Sequence, residues 1–442
     1  MNCPLFFYAP SSWFDIITIM DTLISLIKKL IPGPLFRKLS VPYHFLLAWL
    51  GAVKNGHPSR DINIIAVTGT KGKSSVVEIT NAVLEGAGLS TAVSGTVQFK
   101  IGDWSEENKF KQTMPGRFFL QNFIKKAADQ NIDWMILEAT SEGAKQFRNR
   151  FINLNALIFT NLAPEHIESH GGYENYKQAK LSILRNSLEK SNKRDRHLLV
   201  NGDDKEADDF LNFDVEHKHR FELSLLSDIL IKQKGVEFTY KDVRFISPLS
   251  GEFNVKNLLS VIMFGEGIGI KLETMQKTIA EFKEIPGRVQ RIEAGQNFEV
   301  IVDYAHTPDS LEAIYKAFDH AQNRICILGN TGGGRDQWKR PVMAKIADTY
   351  CDEIILTNED PYDEDPLEIL EQMREAITET PYEVVFDRRN AIFAAVERAK
   401  KGDAVMITGK GTDAFIMGPQ GTKIPWSDSA IAQEALDKRM GK

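Results

Sequence analysis

Residues Ile62–Ser75 read INIIAVTGTKGKSS. The stretch Ile62 to Thr68 is a short apolar run of the kind found in a strand buried on both faces. Gly69, Thr70, Lys71, Gly72, Lys73, Ser74 and Ser75 follow. From Ser74 to Ala87 the apolar spacing becomes helical and stops at Gly86 and Gly88. A strand, a glycine-rich loop and a helix start in that order make a phosphate cradle. The glycines let backbone N–H groups turn toward phosphate oxygens, and the helix N-terminus adds positive potential. Lys73 would reach the outer phosphates and Ser74 could ligate Mg²⁺. The common spacing asks for a glycine where Val67 stands, so the loop is a compact variant. A glycine turn with an incidental lysine is the competing reading.

Working outward, Trp134–Glu138 (WMILE), Ala156–Thr160 (ALIFT) and His197–Asn201 (HLLVN) are further buried-strand candidates with helical spacing between them. That alternation predicts an α/β fold with a mainly parallel sheet and helices on both faces. Glu216–Ser247 reads as short strands and turns, a β-rich excursion. Asn254–Gly269 and Leu272–Phe282 read as helices. The breaker Ile285-Pro286-Gly287-Arg288 marks a boundary. Beyond it a second α/β series has strand candidates at Phe298–Asp303, Arg324–Gly329, Glu353–Thr357 and Ala404–Thr408. The expected organisation is a helical lead-in over 1–60, a central phosphate-loop domain over 61–285, and a C-terminal Rossmann-like α/β domain over 286–442.

The bulk numbers fit several domains, since 442 residues exceed one ordinary core. Lys and Arg number 54 against 60 Asp and Glu, a net charge of −6, and no basic face stands out. That excludes a nucleic-acid binder. Cys3, Cys326 and Cys351 share no CxxC spacing and read as reduced thiols of a cytoplasmic protein. Trp13–Ile31 is apolar but interrupted by Asp15, Asp21, Lys28 and Lys29, with no small-residue cleavage site after it. It reads as an amphipathic helix packed on the body or lying on a membrane surface, rather than a span. Met20 is a second candidate start.

Several acids and histidines sit just past predicted strands, where ligands collect in open α/β sheets. Glu138, in Leu137–Glu142, suits Mg²⁺ held between protein and phosphates, or is a solvated loop acid. Asn161–Gly171 (NLAPEHIESHG) brings two histidines and acids to a strand end. Lys180 on the helix predicted over Glu174–Leu188 reads, by itself, as a solvated lysine. Val302–Asp309 repeats the pairing of an acid, Asp303, with a histidine, His306. Gly329–Pro341 is glycine-rich and then basic, and Arg335, Lys339 and Arg340 suit a carboxylate or phosphate. The acidic run Glu359–Asp365 could bind an amino group or be a solvated turn.

Taken in order, these segments resemble the Mur ligase family. The motifs are GTKGKSS at 69–75, TMPG at 113–116, EATSEG at 138–143, NLAPEHIESHG at 161–171, YKQAK at 176–180, GEFNVKN at 251–257, PGR at 286–288, DYAHTPDSLE at 303–312 and GRDQWKRP at 334–341. The likeness is greatest to members that add the third residue of the stem peptide in peptidoglycan synthesis. The resemblance implies a cytoplasmic, monomeric, ATP- and Mg²⁺-dependent ligase. It would join an amino acid to the carboxylate of a UDP-N-acetylmuramoyl peptide through an acyl phosphate. It implies that residues 69–75, Asn254, Asn257, Arg288, Asp303 and His306 hold ATP, and that Ser74, Glu138, His166 and Lys180 serve metal. Lys180 would be the family's carbamylated lysine, with Lys73, His166 and Lys180 in the catalytic set. Thr113, Thr140, Ser141, Arg148, Arg335, Asp360 and Tyr362 would meet the substrates.

Three segments depart from the family pattern. Only about sixty residues precede the phosphate loop, which keeps a folylpolyglutamate synthase-like acceptor as an alternative. Glu359-Asp360-Pro361-Tyr362 stands where the family has Asp-Asn-Pro-Arg, and Gly409-Lys410-Gly411-Thr412-Asp413 where it has Gly-Lys-Gly-His-Glu. Both changes fall at the amino-acid end, leave the added amino acid open, and also motivate a non-catalytic nucleotide-binding reading.

Overall fold

The computed structural model describes residues 33–442 apart from 111, 166 and 335, with side chains described from residue 41 onward. The readings made for Cys3, Trp13–Ile31, Met20, His166 and Arg335 lie outside the described residues. Among the described residues no helix is long and apolar enough to cross a membrane.

The first sheet contains β1 (Asn63–Thr68), β2 (Thr91–Ser94), β3 (Gln98–Ile101), β4 (Trp104–Glu107), β5 (Trp134–Ala139), β6 (Ala156–Phe159), β7 (His197–Asn201) and β8 (His217–Phe221), in the order β4-β3-β2-β5-β1-β6-β7-β8. From β2 to β8 every pairing is parallel, and β3 and β4 form an antiparallel edge. Successive residues of β1 face opposite sides. Ile64 and Ala66 enter one core cluster, Ile65 and Val67 the other. The strand is therefore apolar throughout, as a central parallel strand must be. An antiparallel sheet of β9 (Ser227–Lys232), β10 (Gly235–Tyr240) and β11 (Val243–Ser247) accounts for most of the β-rich excursion. β8, from the same stretch, instead extends the main sheet.

The second sheet orders β12 (Gln290–Arg291), β13 (Glu299–Asp303), β17 (Ala404–Thr408), β14 (Arg324–Leu328), β15 (Glu353–Leu356) and β16 (Tyr382–Val384). All its pairings are parallel except β12 with β13. Its faces carry two further clusters, one around Ile301, Leu328 and Met406, the other around Val302, Ile327 and Val405. Ile285 still belongs to the first unit's core, whereas Val289 belongs to the second's, so the passage between them occupies the Pro286-Gly287-Arg288 turn. A short antiparallel pair, β18 (Phe415–Met417) with β19 (Lys423–Pro425), completes the strands described.

The expectation of free thiols is corrected for two of the three cysteines. The helix Lys339–Tyr350 runs back along β14, which brings Cys351 at its end to 6.1 Å, Cα to Cα, from Cys326, and a disulfide joins them. Sequence spacing gave no sign of it, because the approach is made by packing across 25 residues.

Candidate active site

The carboxyl ends of β5, β1 and β6 lie side by side, with the phosphate loop leaving the middle strand. That loop needs its glycines. At Gly69 (φ +151°) a Cβ would sit 2.0 Å from Thr160 Oγ1, and at Gly72 (φ +79°) 2.6 Å from Asn257 Oδ1. Gly72 precedes the helix Lys73–Gly86. Beyond β6 the loop is braced by the Lys71 amide, which donates to Asn161 Oδ1 at 2.9 Å, and the Thr70 amide, which donates to the Asn161 carbonyl at 2.9 Å.

Ser74 Oγ donates to Glu138 Oε1 at 3.0 Å, and the Thr96 amide donates to Glu138 Oε2 at 2.7 Å. Glu138 is fully buried at the end of β5. Arg288, from the turn between the two units, donates to Ser74 Oγ at 3.2 Å and lies over the Tyr304 ring at 4.5 Å. Among the described residues no three His, Cys, Asp or Glu side chains converge as a metal cage. Mg²⁺, however, keeps waters and phosphate oxygens and takes only one or two carboxylates. A serine hydroxyl and a carboxylate in contact beside a phosphate loop fit it.

Lys180 lies on the helix Tyr173–Ile183 with Tyr176 one turn before it, and both are buried. Its Nζ donates to the Gly69 carbonyl at 2.6 Å and stands 4.7 Å from the Tyr176 ring centroid. The Tyr176 hydroxyl lies 2.8 Å from Thr70 Oγ1. Burial holds the Lys180 amine well below the usual lysine range, and the neighbouring Lys73 charge pushes the same way. Burying an ammonium is costly, and the Glu165 charge opposes that downward shift. Lys73 Nζ donates to the Thr70 carbonyl at 2.8 Å.

The second unit supplies the opposite wall. Asp303 ends β13 and accepts from the amides of Val289 and Ala305, each at 2.7 Å. Burial raises its carboxyl above the ordinary aspartate value, against the pull of Arg288. His306 Nε2 lies 3.0 Å from Glu165 Oε1 across the cleft, and Lys71 Nζ donates to Asp309 Oδ2 at 2.9 Å. Burial lowers the Lys71 ammonium, with Asp309 opposing the effect.

Together these walls enclose a cleft of about 400 Å³. Residues 69–75, Glu138, Lys180, Asn254, Asn257, Arg288, Asp303 and His306 all line it, as do Thr113, Thr140, Ser141, Asp360 and Tyr362. Asn257 Nδ2 donates to Asn254 Oδ1 at 3.0 Å, next to Gly72. Thr113 Oγ1 is 2.8 Å from Thr96 Oγ1, and Thr140 Oγ1 caps the following helix by accepting from the Gly143 amide. Asp360 takes Lys410 Nζ at 2.8 Å and the Met417 amide at 2.7 Å. Arg148 stands behind the lining. Its guanidinium donates to Gln112 Oε1, Gln146 Oε1 and the Met114 carbonyl, which holds the Thr113–Met114 turn.

Lining residues that the sequence reading did not place in the site include Thr96, Thr160, Glu165 and Tyr176. Glu165 and Tyr176 lay within quoted motifs and could have been taken from them. Thr96 acts through its backbone amide, which leaves no mark in a sequence.

Two family models match in succession: the Mur ligase middle domain over residues 67–265 and the Mur ligase glutamate ligase domain over 287–411. The chain is 34% identical over 409 residues to the UDP-N-acetylmuramoyl-L-alanyl-D-glutamate–2,6-diaminopimelate ligase of Bacillus cereus, covering 89% of this chain and 82% of that protein. A solved structure of a UDP-N-acetylmuramoyl-L-alanyl-D-glutamate–2,6-diaminopimelate ligase matches with TM-score 0.59 and 28% identity, over 86% of this chain and 79% of that one. The Mycobacterium tuberculosis folylpolyglutamate synthase complexed with ADP and AMPPCP shares the fold, with TM-score 0.67 at 16% identity over 90% of this chain and 95% of that one. With both models in register on the two units that form the cleft, and a relative alike over most of both lengths, the chain belongs to the Mur ligase family.

Proposed function

We propose that the protein is an ADP-forming ligase that adds an amino acid to the peptide carboxylate of a UDP-N-acetylmuramoyl peptide in the cytoplasm, working as a monomer. The observation that carries this is the buried contact of Ser74 with Glu138 beside the phosphate loop, in a cleft whose far wall comes from the second unit. In the first step a carboxylate oxygen of the acceptor attacks the γ-phosphorus of ATP. The bond to the β,γ-bridging oxygen breaks, leaving ADP and an acyl phosphate. In the second, the amine of the incoming amino acid attacks the acyl carbon, inorganic phosphate leaves, and the amine gives up a proton. Lys73 and the loop amides would neutralise the phosphoryl group in flight. Mg²⁺, when held by Ser74 and Glu138, supplies further charge neutralisation on the phosphates. Water would destroy the acyl phosphate, and a cleft closed between residues 61–285 and 286–442 excludes it.

Burial that lowers the Lys180 amine favours carbamylation, in which the neutral amine attacks CO₂, a C–N bond forms, and a proton is released. The product would add an anionic metal ligand beside Lys73. His166 and Arg335, outside the described residues, keep their expected parts as a metal ligand and as a contact for the amino acid. Where the family's arginine stands, this chain has Tyr362. That favours an amino acid other than one gripped by a distal carboxylate.

The test incubates pure protein with ATP, Mg²⁺, UDP-N-acetylmuramoyl dipeptide and each of a panel of amino acids, and follows phosphate. Release that depends on one amino acid and falls by about a hundredfold or more in Lys73→Ala is expected. No amino-acid-dependent release with any member overturns the reading, and release with a pteroyl acceptor alone would move it to folate polyglutamylation.

A further inference from the structure

The helix Gly33–Lys54 turns its small residues toward the protein. Ala48 and Ala52 are buried, and Gly51 lies against the backbone of Arg117 and Phe118 on the helix Arg117–Asp129. The outer side carries Leu46, Trp49, Leu50 and Val53, which recur at helical spacing and are 39–51% exposed. Val41, at 55%, lies exposed near the start of the described side chains. A helix on a protein surface normally places charge there, yet from Val41 to Val53 the sequence has no Asp, Glu, Lys or Arg. A large exposed apolar face marks a surface made to be covered.

Charge selects the occupant. Between Asp21 and Asp61 the sequence carries Lys28, Lys29, Arg37, Lys38, Lys54 and Arg60 and no acid, in a chain whose net charge is −6. A second copy docked on this face would set cations against cations. The preceding segment of the same chain brings Lys28 and Lys29, which are no better matched. An anionic lipid surface complements both features: apolar side chains enter the boundary of headgroups and acyl chains, and the cations meet phosphates.

We propose that the outer face of the helix Gly33–Lys54 docks the protein peripherally on an anionic membrane. The full chain is mixed with vesicles of phosphatidylglycerol and phosphatidylethanolamine, and separately of phosphatidylcholine, and sedimented at rising salt. Binding to the anionic vesicles at least about tenfold tighter than to the neutral ones, and weakening with salt, is expected. The double variant Leu46→Glu/Leu50→Glu should lose about tenfold or more of that binding with an unchanged far-ultraviolet dichroism spectrum. Brominated lipid should quench tryptophan emission less in Trp49→Phe than in the parent. Absence of binding, equal binding to both vesicle types, or a double variant that binds like the parent overturns the proposal. So does a parent dimer that the double variant turns into monomers without any vesicle binding.

Discussion

Glu78 lies on the helix after the phosphate loop, where Gln98 Nε2 donates to one carboxylate oxygen at 2.6 Å and the other is buried without a hydrogen bond. Burial pushes its carboxyl up to about 7, with the Glu138 charge adding to the effect. The unfolded carboxyl titrates near 4.5, so between pH 4.5 and 7 the folded chain binds the extra proton. Stability contributed by the neutral acid is therefore present below that window and lost as pH rises through it. Glu78→Gln should leave the melting temperature near pH 4.5 almost unchanged and raise it at pH 8, by an amount worth at most about 3 kcal/mol. Equal shifts at both pH values would contradict the assignment. Glu78 was invisible as a special residue in the sequence, because the burial that raises its carboxyl, opposed by the Gln98 hydrogen bond, comes from tertiary packing rather than from its neighbours in the chain. Lys73, Ser74 and Glu138 were legible, since the first two open the helix after a glycine-rich loop and the third closes an apolar strand. Lys180 was legible through the family motif alone: its position on a helix suggests solvent, and only the packing of Tyr173–Ile183 against the phosphate loop buries it.

Among the elements, the helices Arg388–Arg398 and Asp428–Met440 are pinned at their first turns by one ion pair. Arg388 Nε and Nη2 donate to the two Asp428 oxygens at 2.9 and 2.7 Å, Nη2 also donates to the Thr408 carbonyl, and both side chains are fully buried. Removing one partner strands a buried charge, so Arg388→Met or Asp428→Leu should lower urea stability by about 3–5 kcal/mol. The double variant Arg388→Met/Asp428→Leu should regain much of the loss, and additive losses would show that the pair does not act as a unit. At this scale the central strands were readable because burial on both faces demands unbroken apolar runs. β8 was not: His217–Phe221 is a largely exposed edge whose side chains carry no apolar pattern, and only its pairing with β7 defines it. The helix expected over Glu174–Leu188 changes to a wider π-type turn at Leu184–Glu189, a backbone adjustment that periodicity does not register.

Over the whole molecule, the two units touch across the cleft through Lys71 with Asp309, Glu165 with His306 and Ser74 with Arg288. Each contact uses a side chain from the wall that faces the phosphate loop, so closure and nucleotide binding share the same groups. The Lys71–Asp309 pair is partly exposed and worth no more than about 1 kcal/mol. Asp309→Asn should therefore enlarge the radius of gyration slightly in small-angle scattering and change ATP affinity by less than about fivefold, with a weaker salt dependence than the parent. Unchanged scattering and an unchanged salt profile would remove the pair from any part in closure. The bond between Cys326 and Cys351 has a separate consequence, because it closes a covalent ring around the glycine-rich Gly329–Pro341 segment. A single proteolytic nick inside that ring would yield two polypeptides that migrate together on a gel without reductant and part only when it is added.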